Sequence, residues 1–218
     1  MFDLDDTLIV STIDFMKFRV RLMGYLEEMG ADMSDYSIDE TAVSMISKFE
    51  RELRRKGADD GKVGSCLDEI DSRLNAIELE RIDGTRAAPG AAELLRLLRK
   101  EGIRIGILTR GSPEYARRAL KIAGLADLVD AVIARDRASG IAPKPSPESA
   151  FALAKKLGVK VDESIMVGDF SIDYICARDS GMRFLGIASD EESKKSLEGC
   201  GCETILKGLD ELRIKLGL

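Results

Sequence analysis

The chain opens with the residues MFDLDDT, which place three carboxylates, Asp3, Asp5 and Asp6, within six positions. In an extended segment alternate side chains share a face, so Asp3 and Asp5 point the same way. Two carboxylates about 4 Å apart repel by about 4 kcal/mol at an effective dielectric of about 20, and a divalent cation turns that cost into attraction. By itself acid-x-acid also occurs on solvated turns. A second cluster with chemical potential is Ile107-Leu108-Thr109-Arg110-Gly111-Ser112. A hydroxyl at a strand end, followed by glycine and a helix start, offers Thr109 and backbone N–H groups to an anion, although taken alone the cluster reads as an ordinary helix cap at Ser112.

A third stretch, Pro143-Lys144-Pro145-Ser146-Pro147, locks a lysine between prolines. A merely solvated lysine gains nothing from so rigid a backbone, although a stiff loop opening the next helix accounts for the prolines too. The fourth is Gly168-Asp169-Phe170-Ser171-Ile172-Asp173. Asp169 and Asp173 lie four apart on one side of a strand-to-helix turn, an arrangement that suits oxygen-seeking magnesium. Histidine is absent from the whole sequence. That excludes Ser-His-Asp and Cys-His triads and histidine metal sites, so any catalysis runs on carboxylates, lysine, arginine, hydroxyls and metal.

The elements that must position these clusters follow from periodicity. After Thr7 the pattern is helical: Phe15, Phe18, Leu22, Leu26 and Met29 form one stripe, Ala42, Met45, Ile46, Phe49 and Leu53 a second, and Val63, Leu67, Ile70, Leu74 and Ile77 a third. Gly30 and Gly57 stand where helices can stop. From Arg86 onward short strands alternate with helices of about ten residues, with strands expected over 103–108, 131–134, 164–167, 184–188 and 204–206. Helices are expected over 113–123, 147–157, 173–180 and 191–198, after one that opens at Pro89-Gly90 and before a final one. This is an α/β chain with a doubly wound, mostly parallel Rossmann-like sheet. Its catalytic core is expected at 1–11 and 86–218, interrupted by an all-helical cap at 12–85 that is placed, as an insertion after a strand, to act as a lid. Only Met1 and Phe2 precede Asp3, so either the sequence begins a few residues downstream of its natural start or the central strand is a stub.

Together the four clusters resemble the motifs of the haloacid dehalogenase superfamily: FDLDDTL the first, Thr109 the second, Lys144 in KPSPE the third, and GDFSID with Ala177 and Gly181 the fourth. PGAAELLRLLRKEGIRIGILT is similar to the family's approach to its second motif. The resemblance implies a magnesium-dependent phosphatase. Asp3 is then the nucleophile that forms an aspartyl-phosphate and Asp5 the acid and base. Thr109, the N–H of Arg110 and Lys144 bind the phosphoryl group; Asp3, Asp169, the carbonyl of Asp5 and, through water, Asp173 hold Mg2+. Arg110 stands where many relatives carry asparagine, and Asp6 where glycine is frequent; Asp6 is given no catalytic duty.

Within the family, Asp5 argues against dehalogenation, because a halide leaves without a proton. Phosphonate cleavage needs one distinguished cap lysine, and Lys17, Lys48, Lys56 and Lys62 are not told apart. A phosphomutase, or an idle binding protein on the same fold, remains as an alternative. The expected substrate is a small phosphorylated metabolite, phosphoglycolate-like or a sugar phosphate, and Arg51, Arg54, Arg55 and Lys56 form a basic run that specificity can draw on or that simply faces solvent.

Composition narrows the partners. With 218 residues, 44% of them hydrophobic, the chain can bury a sizeable core. A net charge of −6 argues against nucleic acid as partner. The lack of a long apolar run or a signal-type start points to a cytoplasmic protein without membrane contact, as monomer or homodimer. The four cysteines, Cys66, Cys176, Cys200 and Cys202, lack metal-ligand spacing and read as thiols in a reducing compartment.

Overall fold

A computed structural model describes all residues, 1–218. The chain divides into two compact units, one of Met1–Ser11 with Ile82–Leu218 and one of Thr12–Arg81. Residues 1–3 run extended, and after a turn at Asp6–Leu8 comes β1 (Ile9–Val10).

The second unit consists of α1 (Phe15–Glu28), α2 (Ala42–Arg55) and α3 (Asp60–Leu79). Each starts at a side-chain cap: Asp14 accepts from Lys17 N, Thr41 from Ser44 N, and Asp59 from Lys62 N. Gly30 and Gly57 follow the last turns of α1 and α2 with φ of 87° and 85°, the left-handed conformation that ends a helix and that side chains resist. Leu22 and Leu26 of α1, Met45, Phe49 and Leu53 of α2, and Val63, Leu67, Ile70 and Leu74 of α3 form one apolar core. Phe15 departs from its expected stripe: it is 47% exposed, at the first helical position, ahead of the turns whose residues reach that core.

The chain re-enters the first unit through β2 (Arg86–Ala87), which pairs antiparallel with β1. Then follow α4 (Ala91–Lys100), β3 (Gly106–Leu108), α5 (Pro113–Ile122), β4 (Ala131–Ile133), α6 (Glu148–Leu157), β5 (Ile165–Gly168), α7 (Ser171–Ser180), β6 (Arg183–Ile187), α8 (Glu191–Gly199), β7 (Ile205–Leu206) and α9 (Leu209–Leu216). Parallel ladders join β3 to β4, β5 to β6 and β6 to β7. Residues 1–3 join the two groups: Phe2 bridges Ile107 on one side and Val167 on the other, both parallel. The spatial order is therefore β4, β3, residues 1–3, β5, β6, β7.

The segment that leads to Asp3 is paired on both sides. Phe2 N donates to Gly106 O at 2.8 Å, Leu108 N to Phe2 O at 2.9 Å, and Asp3 N to Val167 O at 2.8 Å, so both backbone groups of Phe2 and the N–H of Asp3 are used. Met1, Leu108 and Met166 pack with Leu153 and Leu157 of α6 and Cys176 and Ala177 of α7. The alternate residues Phe2, Ile107 and Val167 are buried as well, as a parallel sheet covered on both faces requires.

Two expectations need correction. The strand expected over 103–108 begins only at Gly106, since Ile103 is 47% exposed and Ile105 N donates to the Asp130 carboxylate rather than to a neighbouring strand. The β1–β2 pair was not expected, because two residues are too few to show a period. No helix is long and apolar enough to cross a membrane.

Phe49 is 1% exposed at the centre of the helical core. Phe49→Ala is expected to cost about 3–5 kcal/mol. Hydrogen exchange should show amides of α1, α2 and α3 losing protection while those of β3, β5 and β6 keep theirs; equal loss in both units would contradict the division into separate cores.

Candidate active site

Three of the four clusters sit at carboxyl ends of parallel strands, where open α/β sheets collect ligands. Asp3 follows Phe2, Thr109 follows β3 and Asp169 follows β5. The fourth arrives on the loop between β4 and α6, which carries Lys144.

Lys144 is 1% exposed, and its Nζ donates to Asp3 Oδ1 and, at 2.6 Å, to Asp173 Oδ1. An ammonium this deep is tolerable only when paired. Its loop is held on both sides. The Lys144–Pro145 peptide is cis, Ser146 N donates to Pro143 O at 3.0 Å, and Ser146 O accepts from Ser149 Oγ of α6 and Cys176 Sγ of α7. The stiffness read from the prolines therefore serves a buried cation.

Asp173, also 1% exposed, has two partners. Oδ1 takes Lys144, and Oδ2 accepts from Phe170 N at 3.2 Å in the first turn of α7. Asp169 does not cap that helix; Phe170 occupies the cap position. The half-buried Asp169 instead accepts from the buried hydroxyl of Thr7 at 3.4 Å. Gly168 makes room for this turn, because a Cβ there would lie 2.6 Å from both Cβ and Cγ of Asp173.

Asp3, Asp169 and Asp173 each present a carboxylate oxygen within 4.8 Å of the others. Three carboxylates face one ammonium, so two negative charges are in excess. Burial accordingly pushes the Asp3 carboxyl up to about 7; Lys144 pulls it down, and Asp173 and Asp5 add to the rise. Asp169 is held well above the ordinary carboxylate range by burial first and by Asp3 and Asp173 next. An all-oxygen donor set with two surplus charges fits a hard divalent cation such as Mg2+ in both chemistry and charge.

The remaining expected residues divide. Thr109 is 3% exposed, its Oγ1 accepts from Gly111 N at 3.0 Å, and its N–H is used by Ile133 O. Arg110 is half-buried, and its carbonyl accepts from Arg135 Nε at 3.0 Å. Asp5, expected beside Asp3 and assigned to the metal through its carbonyl, turns its carboxylate to Tyr115, whose hydroxyl donates to Oδ1 at 2.5 Å. The exposed Asp6 adopts φ of 54°, a left-handed conformation that aspartate tolerates better than most residues and glycine best. That is a backbone reason for either residue there. Sequence reasoning gave no role to Tyr115 and Thr7; Tyr115 lies 110 positions from its partner and Thr7 162 from its own, and neither pairing leaves a local pattern.

A family model described as haloacid dehalogenase-like hydrolase matches residues 1–181. The chain belongs to that family. Similar proteins include a pyrophosphatase, PpaX, of Halalkalibacterium halodurans, 33% identical over 94 residues, which cover 43% of this chain and 43% of that one. A phosphoglycolate phosphatase of Rhodospirillum rubrum is 37% identical over 99 residues, 45% of this chain and 40% of that protein. The matched stretches thus span well under two thirds of these relatives. A solved structure of a hydrolase from Pseudomonas syringae has the same fold, with a TM-score of 0.68 at 23% identity over 99% of this chain and 95% of that one.

The raised Asp3 carboxyl gives a signed pH effect. The folded chain holds a proton there that the unfolded chain releases near 3.8, so this group's contribution to stability is present at low pH and lost as pH rises through about 7. The metal-free protein should therefore lose melting temperature between pH 4 and pH 7 on this account, with part of the loss absent in Asp3→Asn. Added MgCl2 should raise the melting temperature more at pH 8 than at pH 5, because the ion needs the ionised carboxylate. Equal Mg2+ stabilisation at both values would remove Asp3 from the ligand set.

Proposed function

We propose that the chain is a magnesium-dependent phosphomonoester hydrolase acting on a small phosphorylated metabolite through an aspartyl-phosphate. The observation that carries this reading is the cluster of Asp3, Asp169, Asp173 and Lys144 gathered at the carboxyl end of the sheet, in a chain without histidine. Asp3, Asp169 and the carbonyl of Asp5, with Asp173 in support, would hold Mg2+, which would supply the positive charge that lets a phosphoryl dianion approach a carboxylate.

Asp3 attacks phosphorus in line, and its Oδ–P bond forms as the bond to the ester oxygen breaks. Asp5 gives its proton to the departing alkoxide and then takes one from the water that hydrolyses the aspartyl-phosphate. Lys144 keeps Asp3 aimed and balances charge. The hydroxyl of Thr109 and the N–H of Arg110 bind phosphoryl oxygens, stabilising charge where it gathers in the transition state. The helical block 12–85 is assigned as the cap and the remainder, 1–11 and 86–218, as the catalytic core. Four free thiols support a reducing, cytoplasmic setting. Phosphoglycolate is the first candidate substrate, on the strength of the Rhodospirillum rubrum relative.

Purified protein incubated with Mg2+ and a panel of phosphoglycolate, sugar phosphates, pyrophosphate and para-nitrophenyl phosphate should release phosphate from at least one. EDTA and Asp3→Asn should each abolish release. A folded, Mg2+-binding protein that turns over none of them would instead be a binding protein on this fold. Asp5→Asn should reduce kcat by about 100- to 10,000-fold and accumulate phosphoenzyme, and unchanged steady-state turnover in that variant refutes its role.

A further inference from the structure

Tyr115 is fully buried, yet its phenol makes the 2.5 Å hydrogen bond to Asp5 Oδ1. Ser11 Oγ lies 3.3 Å from the same phenol oxygen. A phenol has one proton, and Asp5 takes it; the Ser11 contact is therefore a donation from serine to the tyrosine oxygen. The result is a directed chain, Ser11 O–H to Tyr115 O–H to Asp5, in which the first bond polarises the second.

Three features fix the ring. Ser112 caps α5 and accepts Tyr115 N at 3.3 Å. The ring lies against Gly111, where a Cβ would sit 2.6 Å from Tyr115 Cδ1. Gly111 is itself held by Thr109 Oγ1 and, through its carbonyl, by Arg135 N. The segment that presents Thr109 thus also seats the tyrosine.

We propose that Tyr115 is a positioning residue for Asp5: its phenol fixes the Asp5 carboxyl and steers the transferable proton to Oδ2. This role rests on the hydrolase reading above. An oxygen that accepts a donated hydrogen bond is the poorer place for the carboxyl's own proton, so a donor aimed at Oδ1 selects Oδ2. In the first half-reaction the Asp3 Oδ–P bond forms, the P–O ester bond breaks with its electron pair going to the leaving oxygen, and that oxygen takes the Asp5 proton. Tyr115 keeps its own proton throughout.

The test compares leaving groups. Nitrophenolate departs without a proton, whereas an alkoxide needs one, and kcat/KM reports events up to and including phosphoryl transfer to Asp3. In Tyr115→Phe, kcat/KM should fall about 100-fold for the alkyl phosphate that the wild-type enzyme hydrolyses best, but less than about threefold for para-nitrophenyl phosphate. The ratio of the two is independent of how much variant is folded. An equal fall for both esters, or none for either, overturns the positioning role. If Tyr115→Phe does not fold, Ser11→Ala is read by the same ratio, which must shift in the same direction, and an unchanged ratio overturns it. Wild-type protein inactive on both esters sinks the hydrolase reading itself, a result separate from active enzyme with an indifferent Tyr115.

Discussion

One buried ammonium organises the core unit. Lys144 is almost wholly removed from water and survives there because Asp3 and Asp173 accept from it. Neither carboxylate would be stable at that depth alone, so each of the three groups is a condition for the other two. They arrive on three chain segments, residues 1–3, the loop before α6 and the first turn of α7. Pairing them closes the sheet ends around a single point. Pro143, Pro145, Gly168 and the bonds to Ser146 O all serve that closure.

The cluster is unbalanced. With Asp169 included and all three carboxylates ionised, negative charge exceeds positive by two; burial first, and the neighbouring carboxylates next, displace Asp3 and Asp169 upward. A balanced cluster would be a structural ion-pair network; this one has affinity to spare for cationic charge. The same imbalance makes it weakly held when the pH is high and no cation is present, so stability and ligand affinity are two readings of one electrostatic fact.

Around this centre the fold spends little on regularity. The segment beneath Asp3 has a single doubly bridged residue, Phe2, and β3 and β4 have three residues each. Both neighbours of residues 1–3 pair with them in parallel, and the two backbone groups of Phe2 and the N–H of Asp3 are taken up there. The helical unit has its own apolar core, built from three capped helices whose stripes meet at Phe49, Leu22 and Ile70.

Much of this was legible in the sequence because it is local. Period 3.6 marks the three helices, and Gly30 and Gly57 mark where the first two stop; alternating short apolar runs and helices dictate a parallel sheet. The chemical clusters were legible because each is compressed into a few residues. What sequence could not determine is the direction each side chain takes once distant segments meet. Asp3 and Asp5 share a spacing, yet one turns to a lysine 141 positions away and the other to a tyrosine 110 positions away. Ile103 has a strand-like composition but no neighbour to pair with, and Phe15 a core-like position but no core within reach. Residue type and spacing determined which atoms were available for chemistry. The assignment of each carboxylate to its partner belonged to tertiary packing, because a buried charge has no preferred direction until its counter-charge is in place.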